Sequence, residues 1–587
     1  MSWIRSTVNS LIASFLLIAL PARVMAWEPN TKALEDTIQI GNFAAYLNAG
    51  SAWLNQIRPA QPNETNLVTL LKDPVVLQTL CQRQLIFKTS AARLGAFAAA
   101  SPANRAFLSW LLKNTPAMEL YLEAVVPIGL EAREANNYTL NTTALEIWRK
   151  ILAADPDAKS GIYQKIAIAT AIAPPGSVNI GAGGAITPAD PVARYKHFKT
   201  AHQNKELFPS FDHLTVWEYT KIVYSGASDA DLAWAREMVN TFRPDLRTDE
   251  MVVNSTSLVW RRNSPIPFEG SFKNVLAGGG KCGPRSSWSQ MVCHAFGIPA
   301  IGVSQPAHAC VAYKAANPMT QPQPGSAWKV GFGRGWEVSR LEGLKGPDFL
   351  LGIAKRSDAA KFSIVEHLRW FASALSPAER AAAVMEIARA INDSIPAVRT
   401  DLAASLKPDE AEADPGVRAG QGVNPEQTSV APALTNSSTM PIMAVGNIIH
   451  VEAAAFAQTG GQISWGGQVP HVLVHNCFTG GKQVYFQQQM KSQWVDYHID
   501  IPKAGTYAMN MKAACINVDQ VLEINSGETK LATVEIPLTY GLWQETKPIR
   551  VKLEKGIQTL RVQTPRSQNA ENHKRGIALR SFDLNFE

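Results

Sequence analysis

The chain has 587 residues, a formal net charge of +7 and 18% charged residues. A chain of this length outgrows a single hydrophobic core, so two or more domains are expected. The charge is small for the length and forms no dense basic block, which excludes a nucleic-acid-binding class. The six cysteines, Cys81, Cys282, Cys293, Cys310, Cys477 and Cys515, are too sparse for a disulfide scaffold. Cys477 and Cys515 share the C-terminal module and are the expected bridge, if one forms.

Residues 1–26 read as a secretory signal peptide. Arg5 supplies the positive start, Val8 to Leu20 is mostly apolar, Pro21 breaks the run, and Val24-Met25-Ala26 presents small or aliphatic residues for cleavage. The apolar run is shorter than the roughly 20 residues of a membrane span. The expectation is a chain with no transmembrane span after cleavage, placed outside the cytoplasm: secreted, periplasmic or at the cell surface.

Residues 27–250 read as a helical domain. Leu145, Trp148, Ile151 and Leu152 recur at helical spacing, and Leu232 to Phe242 follows the same rule. Pro174-Pro175-Gly176 and the glycines at 181, 183 and 184 mark a loop between helices. Residues 251–405 change character. Three glycines (278–280) precede a short helical pattern, two strand-like segments follow, and a helix then places Ile364, Leu368, Phe371 and Leu375 on one face. Ser376-Pro377-Ala378-Glu379 reads as a capping box with proline in the first helical position.

Residues 406–440 are polar and rich in Pro, Ala, Glu and Ser, and are expected to be a disordered linker. Residues 441–587 alternate with period two. Val495, Tyr497, Ile499 and Ile501 form one such row, and Ile549, Val551 and Leu553 another. Turn signals at Pro502 to Gly505, Asn525-Ser526-Gly527 and Glu554-Lys555-Gly556 separate them, which predicts a β-sandwich that folds on its own. The overall class is therefore multi-domain: helical, then α+β, then all-β.

Chemistry concentrates in residues 280–310. In Gly280-Lys281-Cys282-Gly283-Pro284-Arg285 the glycines allow a tight entry into a helix, and Cys282 falls at its start. Unpaired backbone N–H groups and the helix dipole favour a thiolate there. Trp288, Val292, Ala295 and Phe296 supply the buried face, Gly297 ends the helix, and a strand follows from Ala300. His308 opens the next strand. An imidazole beside a thiol can take its proton and return it to a leaving group.

Gly280 to Gly283, Phe296-Gly297-Ile298-Pro299-Ala300 and His308-Ala309, in that order, resemble the core of transglutaminase-like cysteine enzymes over residues 255–345. The resemblance implies Cys282 as nucleophile, His308 as base and then acid, and an acidic residue on the following strand. Glu337, beside Trp336, is the nearest acid; the family's aspartate offset is not met. Cys310 stands where the family usually has an aromatic. The implied activity is hydrolysis or acyl transfer on a peptide or amide substrate, with no catalytic cofactor.

In the C-terminal module, Ile449 to Ala454, Trp494 to Tyr497, Pro537 to Trp543 and Ile577 to Leu584 resemble family 6 or 35 carbohydrate-binding modules. The resemblance implies a polysaccharide or glycoconjugate partner. Trp543, with Tyr485 and Tyr540, would stack on sugar faces, and Glu452 and Asp583 would help hold a structural calcium. Two further readings stand beside this one: a carbohydrate-binding protein with a degenerate core, and a polysaccharide-active enzyme.

Overall fold

The computed structural model describes residues 29–129, 138–176, 178–179, 185–186, 188–248, 255–256, 258–259, 271–306, 308–314, 328–331, 344–396, 440–460, 472–486, 492–518, 520–565 and 576–587. The expected signal peptide, the expected linker up to residue 439 and Glu337 lie outside them.

The first part is helical from Thr31 onward, and its helices begin where short polar side chains can cap them. Asp73 accepts from the N–H groups of Val75 and Val76 ahead of the Pro74–Thr89 helix. Ser228 and Asp231 form a reciprocal capping box on the Asp229–Phe242 helix. The Thr142–Ala154 helix buries Leu145, Trp148 and Ile151 as its periodicity predicts. Trp148 sits among the rings of Phe107, Trp110 and Tyr121, each at 5.7 Å. The glycine-rich loop after Pro174 carries a two-stranded pairing of Val178–Asn179 with Ala185–Ile186.

One apolar core runs from Leu34 to Ile391. It crosses residue 250 without a break, so the helices that follow the Cys282 segment belong to the same body as the N-terminal helices. Within that body a three-stranded antiparallel sheet joins Ala300–Gln305, His308–Lys314 and Trp328–Gly331. A smaller apolar cluster under the sheet unites Val303, Cys310, Trp328 and Phe349. The Ala378–Asp393 helix starts differently from expectation. Pro377 is its cap residue and no side chain caps it, because proline brings no oxygen to accept an N–H.

Among the described residues the C-terminal part is a sandwich of a five-stranded and a seven-stranded sheet, with its strands paired antiparallel. Its own core includes Val495, Tyr497, Ile499 and Ile501, the alternating row read from the sequence. The sandwich docks on the helical body through one end of its seven-stranded sheet. Gln483 Nε2 donates to the Thr241 carbonyl at 2.9 Å, Trp234 Nε1 to the Tyr540 carbonyl at 3.2 Å, and Asn517 Nδ2 to the Ala277 carbonyl at 3.2 Å. Ala514, Ile516 and Ala578 join the helical core rather than the sandwich core. Gly541 (φ +81°) lets the 537–543 turn approach closely: a Cβ there would lie 2.5 Å from Met238 Cγ.

The expected Cys477–Cys515 bridge is absent: all six cysteines are free. Cys477 Sγ faces Gln483 Oε1 at 3.1 Å, whereas Cys515 Sγ faces the carbonyls of Asn517 and Pro537.

Candidate functional site

Cys282 is the first residue of the Cys282–Ala295 helix, behind the cap residue Lys281. It is half-buried, while the other five cysteines are buried. The helix is fixed from behind. Trp288 Nε1 donates to the Ser255 carbonyl at 3.0 Å, and the hydroxyls of Ser289 and Thr256 meet.

Its other face runs along the small sheet in four-residue steps. His294 Nε2 meets the Ala300 carbonyl at 2.9 Å. Gln290 lies beside Gly302, where a Cβ would be 3.3 Å from Oε1. Ser286 Oγ donates to the Cys310 carbonyl at 2.8 Å, and Cys310 pairs with Val303. His308 pairs with Gln305 at the end of the sheet. His308 is buried there, as the first residue of its strand. The four-residue spacing of Ser286, Gln290 and His294, which sets one helix face on the sheet, is present in the sequence. Trp328 is a core residue, 5.8 Å from the Trp217 ring and 5.5 Å from the Phe349 ring. A cleft of about 380 Å³ lined by Tyr121, Tyr138, Trp217 and Lys221, among others, does not include Cys282 or His308.

In the sandwich, the expected sugar platform is turned inward. Tyr485 is 6% exposed; its ring meets Phe242 at 5.4 Å and the Arg243 guanidinium at 4.8 Å. Tyr540 and Trp543 are half-buried against the helical core. The reading of Tyr485 as an open stacking surface is corrected on this ground: the helical body covers that end of the sheet. Glu452 and Asp583 both reach one imidazole. His450 Nδ1 lies 2.6 Å from Asp583 Oδ1 and Nε2 3.4 Å from Glu452 Oε1. The hydrogen bond to Asp583 is the first cause of a raised His450 pKa. A ring held between the two carboxylates does not fit calcium, which gathers six to eight oxygens about itself.

The five-stranded sheet carries a different surface. Asp496 and Arg561, directly opposite each other, form a bidentate pair at 2.7 and 2.9 Å. The Arg561 guanidinium also lies 3.8 Å from the Trp494 ring centroid, and Trp494 lies across Gly460. Beside them Gln563 Nε2 donates to Glu523 Oε2 at 2.9 Å, and Lys530 Nζ reaches Glu523 Oε1 at 2.7 Å. The Lys530 hydrogen bond holds Glu523 below the usual carboxylate range. His498 and Thr559 extend the row.

No family model matches the chain, and no curated protein matches it. Solved structures do, over the C-terminal β-rich region, which distantly resembles carbohydrate-binding modules of families 6 and 35. One is the C-terminal family 6 module of a marine laminarinase from Zobellia galactanivorans: 18% identity, 24% of this chain, 99% of that chain, TM-score 0.19. Another is a module from Cellvibrio mixtus lichenase 5A in complex with cellotriose: 20% identity, 25% of this chain, 99% of that chain, TM-score 0.19. A family 35 module from Clostridium thermocellum matches at 12% identity over 24% of this chain and 98% of that chain, also at TM-score 0.19. Among the described residues no helix is long and apolar enough to cross a membrane.

Proposed function

We propose that the chain is an exported glycan-binding protein whose C-terminal sandwich recognises a polysaccharide or glycoconjugate. The observation that supports this reading is the row of Trp494, Asp496, Arg561, Gln563, Glu523 and Lys530 on the five-stranded sheet. Sugars combine flat C–H faces with paired hydroxyls. An indole edge beside bidentate carboxylate, guanidinium and amide groups answers both. The test is affinity electrophoresis of the purified chain through gels containing a panel of soluble polysaccharides. The chain should be retarded by at least one, and Trp494→Ala or Glu523→Ala should weaken that binding about tenfold, a loss of about 1.4 kcal/mol, without a change in melting temperature that accounts for it. Free migration through every polysaccharide would remove the glycan from the function.

A second reading has its own support: Cys282 begins a helix whose Ser286 is hydrogen-bonded to the strand that His308 opens. In it the chain is a transglutaminase-like cysteine enzyme. The Cys282 thiolate attacks an amide carbonyl while His308 holds the thiol proton. The C–N bond breaks as His308 protonates the departing amine, and water, deprotonated by His308, releases the acid and restores the thiol. Backbone N–H groups at the helix start face the oxyanion, and Glu337 would orient His308. Under a thiol-directed probe, Cys282 should label fastest of the six cysteines, and His308→Ala should slow it. Faster labelling of Cys293 or Cys310 in the folded chain would overturn this assignment.

A further inference from the structure

Away from both of these sites, two helices of the body face each other with matched polar rungs. Glu119 and Glu123 stand four residues apart on the Thr115–Ala124 helix, so they share one face. Ser363 and His367 do the same on the Ala359–Ala372 helix. His367 Nε2 lies 3.3 Å from Glu119 Oε1 and 3.8 Å from Glu123 Oε1, and the three donor atoms fall within 4.8 Å of one another. We propose that Glu119, Glu123 and His367 bind one divalent cation of the zinc–manganese–ferrous class, which clips the Thr115–Ala124 helix to the Ala359–Ala372 helix.

Three observations carry the assignment. His367 is 7% exposed, and its Nε2 is enclosed without a hydrogen-bond partner while aimed at the two carboxylates. A buried imidazole nitrogen left in that state is costly unless something binds it. The spacing also suits a metal. Donors set about 2.1 Å from a tetrahedral centre stand about 3.4 Å apart, close to the 3.3 and 3.8 Å found here. Finally, two carboxylates at partly buried positions repel each other. A cation among the three donors would relieve that repulsion.

The donor chemistry selects the cation. One imidazole nitrogen with two carboxylate oxygens suits zinc, manganese or ferrous ion, whereas calcium and magnesium favour oxygen alone. Both carboxylates keep about a quarter of their side-chain surface exposed, enough for an ion to enter and for water to complete its shell. Arg356 sits nearby, but donates to the backbone carbonyls of Glu123 and Val126. Cys81, also close, is fully buried, and its thiol is held protonated by burial first and by the two carboxylates second.

The experiment uses the full chain, stripped with a chelating resin and then dialysed against zinc, manganese or ferrous ion in turn. Elemental analysis should find one equivalent of at least one metal, and that metal should raise the melting temperature. Cobalt substitution should add visible d–d bands that reflect a nitrogen–oxygen ligand set. Glu119→Gln, a nearly isosteric change, and His367→Gln should each weaken binding tenfold or more and abolish the thermal shift. If His367→Gln does not fold, Glu119→Gln carries the test alone. Two results overturn the proposal: no retained metal and no thermal shift with any of the three ions, or equal metal retained by wild type and Glu119→Gln. Neither bears on glycan binding or on Cys282.

Discussion

Ser286 ties the Cys282 helix to the sheet: its hydroxyl donates to the Cys310 carbonyl two residues beyond His308. Removing that hydroxyl takes a donor from a buried carbonyl, which costs about 1–3 kcal/mol. In the thiol-labelling experiment Ser286→Ala should therefore lower stability by that order and slow Cys282, because the helix start is then less firmly tied to the strand that His308 opens. Unchanged labelling would mean that this tie does not govern the thiol. At this scale the sequence was legible where local rules decide. The glycine entry, the helix start at Cys282 and the Gly297 stop (φ +75°) follow from backbone freedom and capping alone. His450 was not legible as the partner of Glu452 and Asp583. That grouping depends on antiparallel register, which sets His450 opposite Asp583 and Glu452 opposite Ser581.

The strand pattern shows the same division between elements. The 495–501 row was readable because one face of that strand is core and the other is not. Ala513-Ala514-Cys515-Ile516 reads as a continuous buried run, with all four residues at 0% exposure. Such a run signals cover on both faces, and the second cover is the Asp229–Phe242 helix. Tyr485 is implied as a platform by the resemblance to carbohydrate-binding modules, which does not say what covers that end of the sheet. The contact depends on Gly541, whose positive φ and closeness to Met238 leave no room for a side chain. Gly541→Ala should cost about 1–3 kcal/mol through strain and overpacking. Limited proteolysis should then cut between helical body and sandwich sooner than in wild type. An unaltered digestion pattern and melting curve would show that the 537–543 turn does not hold the two together.

For the molecule as a whole, buried histidines set the response to acid. Burial is the first cause of lowered pKa at His197 (about 3), His294 (about 4) and His475 (about 4). Arg236 adds to it at His197; at His475, Arg243 adds to it and Asp245 opposes it. An unfolded histidine titrates near 6.5. Between about pH 6.5 and 4 the unfolded chain therefore binds protons that the folded chain excludes, so stability rises with pH across that window and is lost on acidification. Each group contributes up to about 1.4 kcal/mol per pH unit. Urea unfolding at pH 7 and pH 5 should show the loss, and His475→Asn should reduce it by about one proton's worth. A flat profile would contradict neutral burial of these rings.

The docked end of the sandwich also bears on how this chain can be recombined. Gln483 is wholly enclosed and spends its amide on the Thr241 carbonyl, and Ala514, Ile516 and Ala578 complete a core that is not the sandwich's own. Excised at the polar stretch before residue 441 and fused to another carrier, the sandwich would carry a bare apolar patch, a surface prone to self-association. The transplantable unit is therefore larger than the β-fold: a graft that keeps its solubility has to bring the Asp229–Phe242 helix with it, although some two hundred residues of sequence separate the two.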